Sequence, residues 1–397
     1  MPDLTRRRTI LLIIVLLTVC LCPAYAVGFG AYDLWSRLSP QIAPESRRIQ
    51  TNVFWEAWDR VEEYFYGEIP SAEERTYGAI HEMLLLLDDP YTVFVEPQPR
   101  ELERDTMRGR FGGIGVTMWR NAEGQMVLSP QDDSPAERAR VGEGDILQAV
   151  DGQAITDETS IDDVRAWLHG EVDTAVILTI SRPPDPPFDL TITREEIKVP
   201  SVTWRVLDQS PDVGYMHIES FTERTNAEVL TSLGELLTEK EISGLVLDLR
   251  DNSGGLLDPS VDVASQFLDK GVVLIEIYRD DRERTFPVDE GGIALDIPLV
   301  VLVNGGTASA AEIVAGAIQD HERGPLIGES TFGKGSVQLV YDLADGSSLH
   351  VTTAIWLTPG QHQIEGQGLM PDISLPRGDG FQDEQLDHAV AYLKELE

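Results

Sequence analysis

Two glycine-marked loops in the second half of this 397-residue chain carry residue types that can attack a carbonyl and move a proton. In Asn304-Gly305-Gly306-Thr307-Ala308-Ser309-Ala310-Ala311-Glu312-Ile313 an apolar strand pattern ends, a tight turn follows and a helix pattern begins near Ser309. The first N–H groups of a helix have no partner inside it, so a serine hydroxyl at that point could attack a carbonyl whose developing oxyanion meets those groups. The same serine also fits a simple helix cap. Lysine usage bears on the choice. Of 31 basic residues only five are lysine, at 198, 240, 270, 334 and 394, and Lys334 is held between Gly333 and Gly335. Arginine stays protonated in proteins, whereas a desolvated lysine can give up its proton and serve as a general base. Gly328 to Lys334 also has the spacing of a phosphate loop, but Gly335 stands where a magnesium-binding hydroxyl is needed and a β-like run follows instead of a helix.

Other chemistries are poorly supplied. The only cysteines, Cys20 and Cys22, lie in the N-terminal apolar run, which leaves no disulfide framework and no thiolate zinc site. None of the seven histidines sits in a glycine-patterned turn, and no His-x-x-x-His cluster occurs, so neither a metal nor a cofactor is expected. Apolar residues make up 42% and charged residues 25%, ordinary globular usage. The net charge of −37 would repel phosphate backbones and disfavours nucleic-acid partners.

The elements around the two loops read as an α/β multidomain chain. From about 196 to 376 apolar runs of strand length (Val213 to Ile218, Leu245 to Leu249, Leu299 to Val303) alternate with helical periodicity at 225–239 and 257–269. Shorter strands follow Pro325 and span Val337 to Tyr341, with a hairpin at Asp345-Gly346, and residues 377–397 end in a short amphipathic helix. Residues 35–105 read as a helical region in which Val53, Trp55, Trp58, Val61 and Phe65 are expected to be core. Arg6, Arg7 and Arg8 precede a nearly uncharged run from Thr9 to Tyr32, and Ala24-Tyr25-Ala26 has the form of a cleavage site. Residues 1–34 are thus a removed signal peptide or a retained membrane anchor, the chain's only membrane contact, with everything downstream extracytoplasmic (periplasmic, secreted or held at the outer face of the cytoplasmic membrane).

Between 106 and 195 short β-like runs are broken by glycine: Phe111-Gly112-Gly113-Ile114-Gly115-Val116, then Gly142-Glu143-Gly144-Asp145 and Val150-Asp151-Gly152. This stretch resembles a PDZ domain. Its loop Phe111, Gly112, Gly113, Ile114 and Gly115 would capture a terminal carboxylate while the peptide adds as a strand.

The remaining motifs complete a wider resemblance. Thr307-Ala308-Ser309-Ala310, Gly328-Glu329-Ser330-Thr331-Phe332-Gly333-Lys334-Gly335-Ser336-Val337-Gln338, Leu249-Arg250-Asp251-Asn252-Ser253-Gly254-Gly255 and Gly366-Gln367-Gly368-Leu369-Met370-Pro371-Asp372 resemble the carboxy-terminal processing, or tail-specific, proteases. The resemblance implies a crotonase/Clp-like α/β protease core and a serine endopeptidase with Ser309 as nucleophile, Lys334 as base and Gln338 orienting the lysine. Backbone N–H groups of Ala310 and of Gly254 or Gly255 would form the oxyanion site. Substrates would be proteins held by their C-termini, with homodimerisation through the N- and C-terminal helices. His169 stands where the family often has an arginine that couples the PDZ module to catalysis, so an electrostatic latch there would become pH-dependent. Two other readings remain open at this point, a crotonase-like acyl-CoA enzyme and a PDZ-bearing binding protein with an inactive core.

Overall fold

The computed structural model describes residues 45–396 apart from 379 and 381. The expected signal or anchor at 1–34, and the start of the helical region, lie outside the described residues. Among the described residues no helix is long and apolar enough to cross a membrane. Residues up to Thr76 form one unit and Tyr77 onward a second.

In the first unit the helix Glu45–Tyr64 has the expected periodicity, but its aromatic residues are not core. Val53 is 65% exposed, Trp55 59% and Phe65 58%, because among the described residues no second apolar layer of that unit covers this face. Within the region read as helical, 35–105, the pattern stops at Asp88-Asp89-Pro90, as those residues signal. After the helix Ala72–Leu85 the chain forms a short strand, Val93–Val95, and then the helix Pro97–Arg108.

The β-rich module is close to its sequence reading. Strands Val116–Arg120, Met126–Pro130, Asp145–Val150, Ala175–Ser181 and Phe188–Thr193 pair in that order, and Arg110–Gly113 pairs separately with Glu195–Lys198. Alternate residues such as Val176, Leu178 and Ile180 point into one buried cluster with Leu128, Leu147 and Leu168, as a half-buried strand requires. The helix Ile161–Leu168 that closes the module is started by a capping box of Ser160 and Asp163.

The core of the second half is a six-stranded sheet in the order Val202–Leu207, Ser210–Ile218, Gly244–Asp248, Leu299–Val303, Leu326–Gly328, Ile373–Ser374, parallel after its first pair. Its central strands are apolar throughout because both faces are covered. Leu245, Leu247, Val301 and Val303 face helices Thr225–Gly234, Leu257–Ser265 and Ala310–Asp320. Val246, Val300 and Leu302 face Ala389 and Leu393 of the C-terminal helix Glu384–Glu395. A second, antiparallel sheet places Ser348–Leu357 between Ser336–Asp342 and a pair not anticipated from sequence, Val272–Tyr278 with Glu283–Pro287. Val93–Val95 adds to the same strand at residues 348–350.

Candidate active site

The buried strand Leu299–Val303 delivers the chain to Asn304, whose side chain organises the turn that follows. Asn304 Oδ1 accepts the N–H groups of Gly306 (3.0 Å) and Asp251 (2.9 Å), and Thr307 Oγ1 donates to the carbonyl of Leu249 at 2.8 Å. The two loops at 249–255 and 304–309 are therefore one hydrogen-bonded unit. The turn ends at Ser309, which precedes the helix Ala310–Asp320 with φ 54° and ψ −117°. A non-glycine residue in that region costs on the order of 1–3 kcal/mol and persists only where its surroundings hold it. Here they do: Glu312 Oε2 accepts the Ser309 N–H at 2.8 Å, and Gly254 lies so close that a Cβ on it would stand 2.8 Å from Ser309 Cβ.

The N–H groups around Ser309 separate into used and free. Gly254, one of the two glycines expected at the oxyanion site, donates to Asn252 Oδ1 at 2.8 Å, so its N–H is occupied in this arrangement. Among the described residues the N–H groups of Gly255 and Ala310 have no acceptor. Gly255 is fixed by a parallel bridge to Phe221, with Phe221 N–H donating to Gly254 O at 2.9 Å and Leu256 N–H to Phe221 O at 2.8 Å.

Lys334 reaches the same place from the other side. The buried carboxylate of Glu312 accepts the N–H groups of Gly333 (2.7 Å) and Lys334 (2.9 Å) and the hydroxyl of Thr331 (2.5 Å). Trp356 Nε1 donates to the Lys334 carbonyl at 3.1 Å, so that residue's backbone is held at both ends. Burial pushes the Lys334 ammonium below its ordinary pKa, with the carboxylates of Glu365 and Asp89 opposing. Its Nζ lies 4.9 Å from the centre of the Tyr91 ring. Among the described residues it makes no hydrogen bond to Ser309. Gln338 lies within the strand Ser336–Asp342, past an irregularity between Val337 and Gln338, and its amide donates to Ser336 Oγ at 3.0 Å and Thr352 Oγ1 at 3.4 Å instead of approaching Lys334. An extended chain carries residues four apart too far for direct contact.

Three neighbours of the lysine had no assigned role in the sequence reading. Glu312 carries a usable signal, an acidic residue three positions after a helix start. Asp89 and Tyr91 sit in Asp88-Asp89-Pro90-Tyr91-Thr92, legible only as a helix stop. No group of His, Cys, Asp and Glu among the described residues could hold a metal ion.

In the β-rich module the Phe111–Gly115 loop keeps two N–H groups, of Ile114 and Gly115, without acceptors among the described residues, while the carbonyls of both are occupied by Ala136 and Gln131. This is an anion-accepting arrangement. The loop opens on a cavity of about 560 Å³ lined by Leu102, Phe111, Thr117, Leu168 and His169, and reaching Ser220 and Thr222 on either side of Phe221. His169 stacks on Phe111 with ring centroids 4.0 Å apart. Burial first, then the charges of Arg165 and Arg194, push its pKa below the ordinary histidine range.

Comparison with known proteins gives this arrangement a family. Residues 212–375 match the model of peptidase family S41, and residues 126–182 match a PDZ domain. A carboxy-terminal-processing protease of Bartonella bacilliformis is 38% identical over 313 residues, 78% of this chain and 71% of that protein. A carboxyl-terminal-processing protease of Synechocystis is 38% identical over 320 residues, 79% of this chain and 74% of that one. The fold is shared with a putative S41 protease from Bacteroides fragilis, with a TM-score of 0.50 at 16% identity over 84% of this chain and 93% of that one. The acyl-CoA reading left open by the sequence is thereby overturned.

Proposed function

This chain belongs to peptidase family S41 and is a serine-type peptidase, and from that premise we propose that it cuts protein substrates near their C-termini through Ser309 and Lys334. The observation that carries the reading is the single Glu312 oxygen that accepts both the Ser309 and the Lys334 N–H groups, fixing nucleophile and base in one frame. Neutral Lys334 takes the proton of Ser309 Oγ as that oxygen attacks the scissile carbonyl, and the N–H groups of Gly255 and Ala310 stabilise the oxyanion. The lysine then returns the proton to the departing amine. Water, deprotonated by the same lysine, then attacks the acyl carbon, the Ser309 Oγ–acyl bond breaks, and the lysine returns the proton to Ser309 Oγ as the acid leaves.

The arrangement described here is the resting one in this reading. Lys334 Nζ must leave the Tyr91 ring for Ser309, and Gln338 must turn from Ser336 and Thr352 to orient it. A substrate C-terminus held at Ile114 and Gly115 would favour that change through the cavity, because Phe221 lies between the cavity residues Ser220 and Thr222 and also pairs with Gly255. His169 would act in this gating as part of the wall behind Phe111. Export through the N-terminal segment and homodimerisation through the N- and C-terminal helices, supported by the exposed aromatic face at Trp55 and Phe65, belong to the same proposal.

The test is mass spectrometry of products from an unfolded protein with an apolar C-terminus, with Ser309→Ala as control. Fragments cut near the C-terminus by the parent alone support the reading. Intact substrate under all conditions would instead favour a binding protein that has lost its chemistry.

A further inference from the structure

The matched peptidase region ends at residue 375, yet Arg377, Asp383 and Gln385 beyond it bond to Arg250 and Asp251, which lead into the turn that carries Gly255. Arg250, only 7% exposed, opens that loop, and all its donors are engaged. Asp248 takes one edge of the guanidinium (Nε to Oδ1, 2.9 Å; Nη2 to Oδ2, 2.5 Å) and is itself held by Tyr215 at 2.8 Å. The other edge is taken from the C-terminal segment: Asp383 accepts from Nη1 at 2.9 Å and Nη2 at 2.8 Å, and Gln385 Oε1 accepts from Nη1 at 2.9 Å. Gln385 Nε2 in turn donates to the carbonyl of Leu375 at 2.7 Å. One residue along, Arg377 donates to Asp251 Oδ2 at 3.3 Å. Asp251 has a positive φ of 61°, so the chain reverses there before Asn252 and the two glycines.

We propose that Arg377, Asp383 and Gln385 clamp the oxyanion turn, with Asp383 a positioning residue that acts through Arg250 on Gly255. The proposal rests on the reading of Gly255 as an oxyanion donor. Asp383 accepts the Leu386 N–H as cap of the C-terminal helix and also faces a buried guanidinium whose N–H groups are left short of acceptors when it is neutralised. A turn released in this way would weaken binding of the transition state while leaving ground-state binding of substrate unchanged.

The experiment compares Asp383→Asn, Arg377→Gln and Leu393→Ala in the full chain. Leu393 is buried beneath the same helix but touches neither arginine pair, so it controls for lost stability. Each variant is assayed for kcat and KM on a short reporter peptide, for Tm, and for hydrogen exchange at amides 251–256. Expected are a fall in kcat of about tenfold or more for Asp383→Asn with KM within about twofold, a smaller fall of about threefold for Arg377→Gln, which also stays folded if the first variant does not, and faster exchange at 251–256 in both. Leu393→Ala should lose Tm and keep kcat. Unchanged exchange at 251–256 in both clamp variants, or an equal fall of kcat in Leu393→Ala, would overturn the clamp. A parent protein that cleaves no peptide would defeat the peptidase reading alone, because the exchange data still judge the clamp.

Discussion

The Glu312 carboxylate accepts the backbone N–H of Lys334 at 2.9 Å across 22 positions of sequence. Four donors converge on its two oxygens: the N–H groups of Ser309, Gly333 and Lys334 and the hydroxyl of Thr331. Glu312→Gln places an NH₂ group against some of them. Buried donors left without acceptors cost about 1–3 kcal/mol each, so a loss of about 2–4 kcal/mol in stability is expected. Denaturant unfolding measures the loss, and peptide hydrolysis should fall well beyond it, since both residues of the pair lose their frame. Unchanged hydrolysis in a destabilised variant would separate Glu312 from the chemistry.

In the proposed mechanism Lys334 is the base, a role open to it only when neutral. Its activity contribution is absent at low pH and appears as pH rises through its folded pKa, which burial holds below the ordinary value of about 10.5. Glu365 opposes that shift by favouring the charged form, so Glu365→Gln should move the alkaline rise of kcat/KM to lower pH. Lys334→Arg should be as inactive as Lys334→Ala. A pH–rate profile of each variant checks both statements, and retained hydrolysis in the arginine variant would remove the lysine from the base role.

Gly255 has φ 139°, and a Cβ there would stand 2.1 Å from the carbonyl oxygen of Phe221. Backbone cannot yield by that amount without moving the turn. Gly255→Ala should therefore lower kcat by about a hundredfold or more through a displaced N–H donor. Covalent labelling of Ser309 by a small phosphonate, read beside kcat, distinguishes a displaced turn from an unfolded chain.

His169 is half-buried against Phe111, its Nδ1 has no hydrogen-bond partner among the described residues, and Arg165 and Arg194 add like charge. Protonation is thus disfavoured, and the pH sensitivity expected of a histidine at this position moves to the acid side. Stimulation of reporter cleavage by an apolar C-terminal peptide should be flat between about pH 7 and 8 and change only below the ordinary histidine range of about 6.5. His169→Arg would bury a permanent charge beside two others and should weaken stimulation at every pH. A transition centred near neutrality in the parent would contradict this placement.

The loop chemistry was legible in the residues themselves. A serine at a strand-to-helix turn, a lysine between two glycines and the glycine spacing of the Phe111–Gly115 loop are local statements, because backbone conformation and periodicity are set within a few residues. The same holds for the strands Ser210–Ile218, Gly244–Asp248 and Leu299–Val303, whose continuous apolar runs announce burial on both faces.

Long-range pairing decided the rest. Val93–Val95 became a strand only because residues 348–350, more than two hundred positions away, offered an edge to pair with. The aromatic face at Trp55 stayed exposed because periodicity tells which residues share a side, not whether another layer covers it. Which glycine kept a free N–H depended on Asn252 reaching Gly254, and the roles of Glu312, Tyr91 and Asp383 on where their chemical partners came to lie. Hydrogen bonds and ion pairs are made between positions in space, and sequence separation carries no information about that until the chain has folded.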